Sequence, residues 1–435
     1  MSTDHSLKKN LTPLLLWGLG VGYVISGMYF GWNIGLEKGG TLGLAIATFF
    51  SIILYTAFSF SYTELACAIP RAGGAFDYAY RALGKNTAFI AGLAQIIEFV
   101  FAPPAIAIAI GTYFHLVFPV VDIRVAAIAV YFVFTALNIY GVRAAATFEL
   151  VITILAVGEL LLFAGVTLPH ISVAHLTQNA LPHGWGGIFA ALPFAIWFFL
   201  GIEGVANVAE ETINPERDIF WGFGSAMLTL TVLCVLTFVG AVGVGGWEHI
   251  VYQADGSTTD SPLPLAMSEV VSPDHLLYKI LIGVGLFGLV ASFHGLILAS
   301  GRATFEFGRV GYAPHFLGKV HPRFQTPAAA LIVNMALGIV ALIAGKTAEI
   351  ITFSVLGAIT LYIISMIAII ALRRKEPDLV RPFSVPFFPT TPIIALVIAS
   401  ISLVAMVYYN QLLSAMYFGI LAGGWGVFRL VKKED

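Results

Sequence analysis

The side chains with the most chemistry to offer are carboxylates set in apolar sequence. Glu203 stands in Ala195-Ile-Trp-Phe-Phe-Leu-Gly-Ile-Glu-Gly-Val-Ala-Asn207, a stretch otherwise apolar enough to sit in a membrane. An acid at membrane depth costs about 2.5–3.5 kcal/mol or more unless it faces a cavity or a partner, so its default reading is functional. Gly201 and Gly204 flank it. Glycines weaken a helix and let backbone amides and carbonyls face a ligand. Trp197, with Phe198 and Phe199 beside it, can cover an ammonium group with its ring face, a contact worth about 0.5–2 kcal/mol. Acid, aromatic ring and opened backbone together are equipment for holding a cation or carrying a proton, not for breaking a bond. The competing reading is structural, with an acid bonded to nearby backbone and aromatics that only pack.

Three further groups belong to the same chemistry. Glu98 precedes Phe99-Val-Phe-Ala-Pro-Pro104, where two prolines predict a kink, and it reads as either an anchor or a proton carrier. Glu159 lies in Val157-Gly-Glu-Leu-Leu161. His294, in Ser292-Phe-His294, can shuttle protons because imidazole titrates near neutral pH, although a lone buried histidine is more often a satisfied structural residue. His170, His175 and His183 have no regular spacing with cysteine or acid, so no metal site is expected.

The elements that must position these groups follow from composition. The chain has 435 residues, of which 59% are hydrophobic and 11% charged, with a mean hydropathy of +0.91. Soluble domains average about 25% charged residues, so this chain cannot solvate an ordinary surface. Its apolar runs are too long for the roughly ten-residue alternation of a barrel strand. Cys67 and Cys234 both sit in apolar sequence, so no disulfide framework is expected. Windows of about 20 apolar residues predict twelve spans between Leu11 and Arg429, the fourth of them, Arg124–Tyr140, short. Residues 1–10 are polar and read as a tail before a first span, not as a cleaved signal.

An even number of spans puts both ends on one face. That face carries 18 of the 22 Lys and Arg residues, leaving Lys38, Arg124, Lys279 and Lys346 opposite. Such a split places both termini in the cytoplasm and the chain, multi-pass, in the cell membrane. The polar external loop Gly245–His275 is expected to be a mobile cap.

A weak internal symmetry is also present. The first span contains Ser26-Gly-Met-Tyr-Phe-Gly-Trp-Asn33, and in both it and the sixth a glycine (Gly27, Gly201) precedes an asparagine (Asn33, Asn207) by the same interval. The two stretches lie five spans apart, and an odd offset turns the second half upside down. Inverted repeats with a broken first helix in each are a known transporter plan, with substrate bound at the breaks. Asn33 and Asn207 would then satisfy backbone groups that the breaks free.

Taken jointly and in order, several stretches resemble the amino acid–polyamine–organocation (APC) transporters. They are Gly20-Val-Gly-Tyr-Val-Ile-Ser-Gly27, Glu64-Leu-Ala with Pro70-Arg-Ala-Gly-Gly-Ala-Phe-Asp-Tyr78, Trp197–Glu203, Glu210-Glu-Thr-Ile-Asn-Pro-Glu-Arg217 and Arg309-Val-Gly-Tyr-Ala-Pro314. Within that group Gly20–Leu36, Ile97–Pro103 and Ala190–Thr212 are most similar to the ethanolamine permeases.

The resemblance implies an all-α integral membrane protein of LeuT type. Twelve transmembrane helices include a 5+5 inverted repeat with broken helices 1 and 6. Residues 11–168 would be the first repeat, 188–372 the second, 392–429 two accessory helices, and 1–10 and 430–435 cytoplasmic tails. Substrate would lie against Ser26, Gly27 and Met28 at the first break and Trp197, Phe198, Phe199, Gly201 and Glu203 at the sixth. Coupling to H+ or Na+ would fall to Glu203, Glu159, Glu98 and His294. In amino-acid carriers of this group a Gly-Ser-Gly run at the first break frees amides for the substrate carboxylate. Here Ile25 replaces the first glycine, and a β-branched residue resists that opening. Glu159 stands where many relatives have a lysine that replaces a sodium ion.

These readings point to a secondary transporter that imports a small cationic amine, ethanolamine above all, by alternating access, with H+ the expected coupling ion. The alternative is an amino-acid or polyamine transporter or exchanger of the same fold. An intramembrane enzyme would need a catalytic set at one depth, and none is seen. A channel would need a ring of like residues. No cofactor and no nucleic-acid partner is expected, and the bilayer is the remaining partner.

Overall fold

The computed structural model describes residues 9–71, 73–141, 145–253 and 255–431. Most of the two expected tails lies outside the described residues, as do Lys8, Ala72, Arg143, Lys432, Lys433 and the side chain of Glu210.

Helix α1 (Pro13–Val24) begins where the Thr12 hydroxyl accepts the Leu15 N–H at 3.4 Å. Pro13 presets the first helical φ there without forfeiting a bond. A single turn, α2 (Ser26–Tyr29), follows, then α3 (Trp32–Ala68), which bends at Gly40. Residues 32–39 complete the first span and residues 41–68 form the second. On the face where the chain begins, α4 (Ala75–Leu83) lies between spans, and α5 (Lys85–Val117), α6 (Ile123–Tyr140) and α7 (Ala145–Thr167) are the third to fifth. Pro103 and Pro104 lie within α5 without ending it.

After the short α8 (Val173–Thr177), the sixth span consists of α9 (Gly186–Trp197) and a 3₁₀ stretch, Ile202–Glu211. Helix α10 (Pro215–Gly245) is the seventh, and α11 (Trp247–Val251) and α12 (Pro262–Ser268) lie on the far face. Helices α13 (Leu276–Arg309), α14 (Ala328–Ala344), α15 (Thr347–Lys375), α16 (Thr390–Tyr409) and α17 (Gln411–Val431) complete the twelve. Among the described residues, ten helical stretches are long and apolar enough to cross a membrane, and Pro13–Tyr29 and Ala328–Ala344 are shorter apolar ones.

Helices α5, α9 and α15 bury most of their length, whereas α6, α16 and α17 bury least. Val404, Tyr408 and Leu412 on the outer pair are exposed, as suits a surface that meets lipid. The polar residues that matter lie inside, on α3, α5, α7, α13, α15 and the 3₁₀ stretch.

Two clamps close the face where the chain begins. Arg373, at the end of α15, grips buried Glu64 of α3 through two bonds of 2.8 and 2.6 Å, and the Val385 N–H adds a third at 2.7 Å. Arg81 of α4 pairs with Glu376 at 2.6 Å and holds its carboxyl below the usual range.

On the far face the polar loop is not the loose cap its composition predicts. Ile250, Val251, Leu263, Ala266 and Met267 are buried beneath it, and Asn33 Nδ2 donates to the Thr259 carbonyl at 2.9 Å. Apolar residues at helical spacing inside a polar segment found a core to join. Asp260 of this cap accepts the Thr347 hydroxyl at 3.1 Å, and burial pushes its carboxyl up to about 6.

Candidate functional site

The first span loses helical geometry at Phe30 and Gly31, not at Ser26-Gly27. Ile25 keeps right-handed helical angles, Phe30 is extended, and Gly31 has φ +87°, a value only glycine adopts without strain. The backbone is nevertheless opened earlier, by a side chain. The Ser292 hydroxyl of α13 donates to the Gly22 carbonyl at 2.6 Å and accepts the Ser26 N–H at 2.9 Å. It thus stands between two groups that would otherwise bond to each other in a helix. Ile25 is fully buried, so it does not pack against lipid. Asn33 Oδ1 accepts the Gly31 N–H at 3.1 Å, which satisfies an amide that the break frees.

The sixth span breaks after Trp197. Residues 198–200 form turns, and Gly201 takes φ +95° before the 3₁₀ stretch begins. The two breaks touch. A methyl group on Gly27 would lie 2.6 Å from the Trp197 carbonyl oxygen and 3.1 Å from Phe198 Cα, so the absence of a side chain there permits backbone-to-backbone contact. Trp197 Nε1 donates to the Phe30 carbonyl at 3.1 Å, and Phe198 stacks on Trp32 at 5.5 Å. Trp197 is therefore tied to the first break. The Met28 carbonyl accepts the Trp32 Nε1–H at 3.0 Å.

The acid centre lies beside this junction. Glu203 Oε2 accepts the Tyr362 hydroxyl at 3.0 Å, and Tyr362 and Tyr55 share a 3.0 Å hydroxyl contact. Since Tyr362 gives its proton to Glu203, Tyr55 is the donor to Tyr362. Phe199 packs against Tyr55 at 5.3 Å. Glu98 of α5 faces Glu203. Both Glu98 oxygens and Glu203 Oε1 lack a bonding partner among the described residues. Two carboxylates in one enclosure cannot both be charged cheaply, so a proton or a cation between them relieves the repulsion. The enclosure is closed: Ser26, Gly27, Met28, Trp197, Phe198, Phe199, Gly201 and Glu203 are all buried.

The remaining two candidates lie apart from this centre. Glu159 accepts the Tyr29 hydroxyl at 2.6 Å, just before the first break, and lies with Tyr113, Tyr278 and Met267 beneath the far-face cap. His294 contacts Glu149 of α7 at 3.3 Å, with both side chains buried. Asn207 accepts from Gln95 at 3.4 Å and does not face the break. Tyr55, Tyr362, Ser292 and Glu149 were not singled out in the sequence as partners. A hydroxyl or acid within an apolar span was the available signal, but which acid it would meet depends on helices far apart in the chain.

The family model for amino acid permeases matches residues 12–424. The chain belongs to the amino acid permease family. It is 30% identical to an uncharacterized transporter of Rhizobium meliloti over 98% of this permease and 93% of the relative. It is 27% identical to the branched-chain amino acid permease of Bacillus subtilis, covering 91% and 87% of the two chains. It is also 28% identical to cationic amino acid transporter 1 of Arabidopsis thaliana, covering 86% and 64%. The permease is thus a multi-pass membrane protein of the APC group, built around twelve membrane spans with the first and sixth broken, and these relatives are transporters and permeases.

Proposed function

We propose that this permease is a secondary active transporter that imports a small cationic amine, most closely ethanolamine, by alternating access and coupling to protons. The observation that carries the reading is the acid centre, with Glu98 and Glu203 facing one another beside the aromatic junction of Trp197, Phe198 and Phe199. One acid would pair with the ammonium group while the other keeps a proton, so that amine and proton would cross together. Ile25 keeps helical angles and the Ser26 N–H is already bound by the Ser292 hydroxyl, which disfavours a nest of free amides for a substrate carboxylate. Ser26, Gly27, Met28 and Gly201 would line the remaining wall. Glu159 and His294 would take part in coupling from outside the enclosure. On this reading residues 11–168 and 188–372 are the two inverted repeats, 392–429 the accessory pair, and the face that holds both ends is cytoplasmic.

A second reading is favoured by the named relatives: a branched-chain amino acid permease and a cationic amino acid transporter support an amino-acid substrate.

Uptake into proteoliposomes of ethanolamine, choline, putrescine, alanine and arginine separates the two. Saturable uptake of ethanolamine ahead of alanine and arginine is expected, and preference for a zwitterion would overturn the amine reading. Imposing proton and sodium gradients separately assigns the coupling ion. Glu203→Gln should weaken ethanolamine affinity and flatten its pH dependence, and a variant with both unchanged would remove Glu203 from the site.

A further inference from the structure

We infer that the cleft between the second and seventh spans seats one glycerophospholipid, with an acyl chain in the cleft and an ester carbonyl on the Ser59 hydroxyl. The lipid would come from the leaflet on the face where the chain begins. A cavity of about 280 Å³ separates α3 from α10, with Ile52, Thr56 and Phe60 on one wall and Phe220, Met227 and Leu228 on the other. Thr56 and Leu228 are exposed, so the cleft opens sideways to the bilayer. It is separate from the acid centre, which Tyr55 meets through Tyr362.

Length and depth match one half of a bilayer. The two helices run in opposite directions, and Phe60 meets Phe220 at 6.3 Å at the end of the cleft nearest the start of α10. Residues 52–63 and 220–231 each span about 16 Å at about 1.5 Å per residue, close to half of the roughly 30 Å hydrocarbon thickness. Arg217 and Trp221, both exposed and one turn apart in the first turns of α10, mark the level of the headgroups, where tryptophan and arginine gather. A guanidinium there would meet the phosphate that every such lipid carries.

One hydroxyl in the cleft has a proton to give. Elsewhere in α3, Ser51, Ser61 and Thr63 donate to the carbonyl one turn back at 3.0, 2.8 and 2.7 Å, and Thr231 of α10 does the same at 2.8 Å. Ser59 lines the cleft and is 5% exposed, yet its hydroxyl has no bonding partner among the described residues. A buried donor without an acceptor is costly, and hydrocarbon supplies no water to relieve it. The acceptor that a lipid chain carries into such a cleft is its ester carbonyl.

The test is native mass spectrometry of the full chain, delipidated in detergent and titrated with palmitoyl-oleoyl phosphatidylglycerol or its ether-linked analogue, which lacks the ester carbonyls. The first ester lipid should bind at least about tenfold more tightly than later ones, a gap of about 1.4 kcal/mol. Thr56→Trp, which fills the mouth of the cleft, should abolish that gap, whereas Ile401→Trp on the exposed face of α16 should keep it. Ser59→Ala should weaken the first ester lipid by about two- to tenfold, the worth of one hydrogen bond, and leave the ether lipid unchanged. An unaltered melting temperature without lipid certifies that a variant is folded, and a diazirine-bearing acyl chain should crosslink within residues 52–63 or 220–231. An even series of lipids on the wild-type chain, a first lipid retained by Thr56→Trp, equal effects of Ser59→Ala on ester and ether lipids, or crosslinks confined to other helices overturns the proposal. None of these outcomes depends on which substrate is carried.

Discussion

At the scale of single residues, the hydroxyl of Tyr362 donates to Glu203 Oε2 at 3.0 Å. Removing a donor to a charged group costs about 1.5–3 kcal/mol. Tyr362→Phe should therefore weaken amine affinity by about tenfold or more, measured by equilibrium binding in detergent, while leaving the fold intact. Tyr55→Phe should do less, since Tyr55 acts on Glu203 only through Tyr362. Gly27 tests the junction itself. Its neighbours are main-chain atoms of Trp197 and Phe198, which cannot rotate away as a side chain could. Gly27→Ala should cost about 1–3 kcal/mol of overpacking and lower both thermal stability and uptake, whereas Gly224→Ala, which meets open space, should change neither.

At the scale of elements, hydropathy and charge located the spans, because each must cross the same apolar thickness and the basic residues mark its ends. The 3₁₀ geometry of Ile202–Glu211 and the helical angles kept at Ile25 were not legible. Both depend on a neighbour: Ser292 intercalates beside Ile25, and the Tyr23 ring fills the space at Gly204. The acids Glu98 and Glu203 stood out singly because a carboxylate in an apolar run is conspicuous. Their meeting did not, since α5 and the sixth span are separated by three other elements in sequence. Clamps between elements carry their own prediction. Arg373→Ala leaves Glu64 with the Val385 N–H and Arg381, at 3.3 Å, as its remaining partners. Breaking a buried pair costs about 3–5 kcal/mol at most, so a lowered melting temperature is expected, with Arg373→Lys only partly restoring it because lysine cannot reproduce the fork.

At the scale of the whole molecule, the two faces should answer pH differently. On the far face Asp260 is half-buried, and its raised carboxyl favours the protonated form in the closed cap. A folded-state value above the ordinary one near 3.8 means that this stabilisation is present at low pH and is lost as pH rises through about 6. Deuterium uptake in residues 250–268 should thus increase across that interval, and Asp260→Asn should remove the dependence. Accessibility of cysteines introduced at Lys9 and at Lys346 should fall on opposite sides of the membrane. One further consequence comes from the winding of the sixth span. Ten residues reach about 20 Å as a 3₁₀ helix and about 15 Å as an α-helix. The stretch Ile202–Glu211 therefore holds about 5 Å of slack. Rewinding it would draw Glu211, with Arg302 attached, toward the middle of the bilayer without disturbing α9. Longitudinal reserve in one segment can in this way be exchanged for displacement at the face where the chain begins, with no hinge required elsewhere.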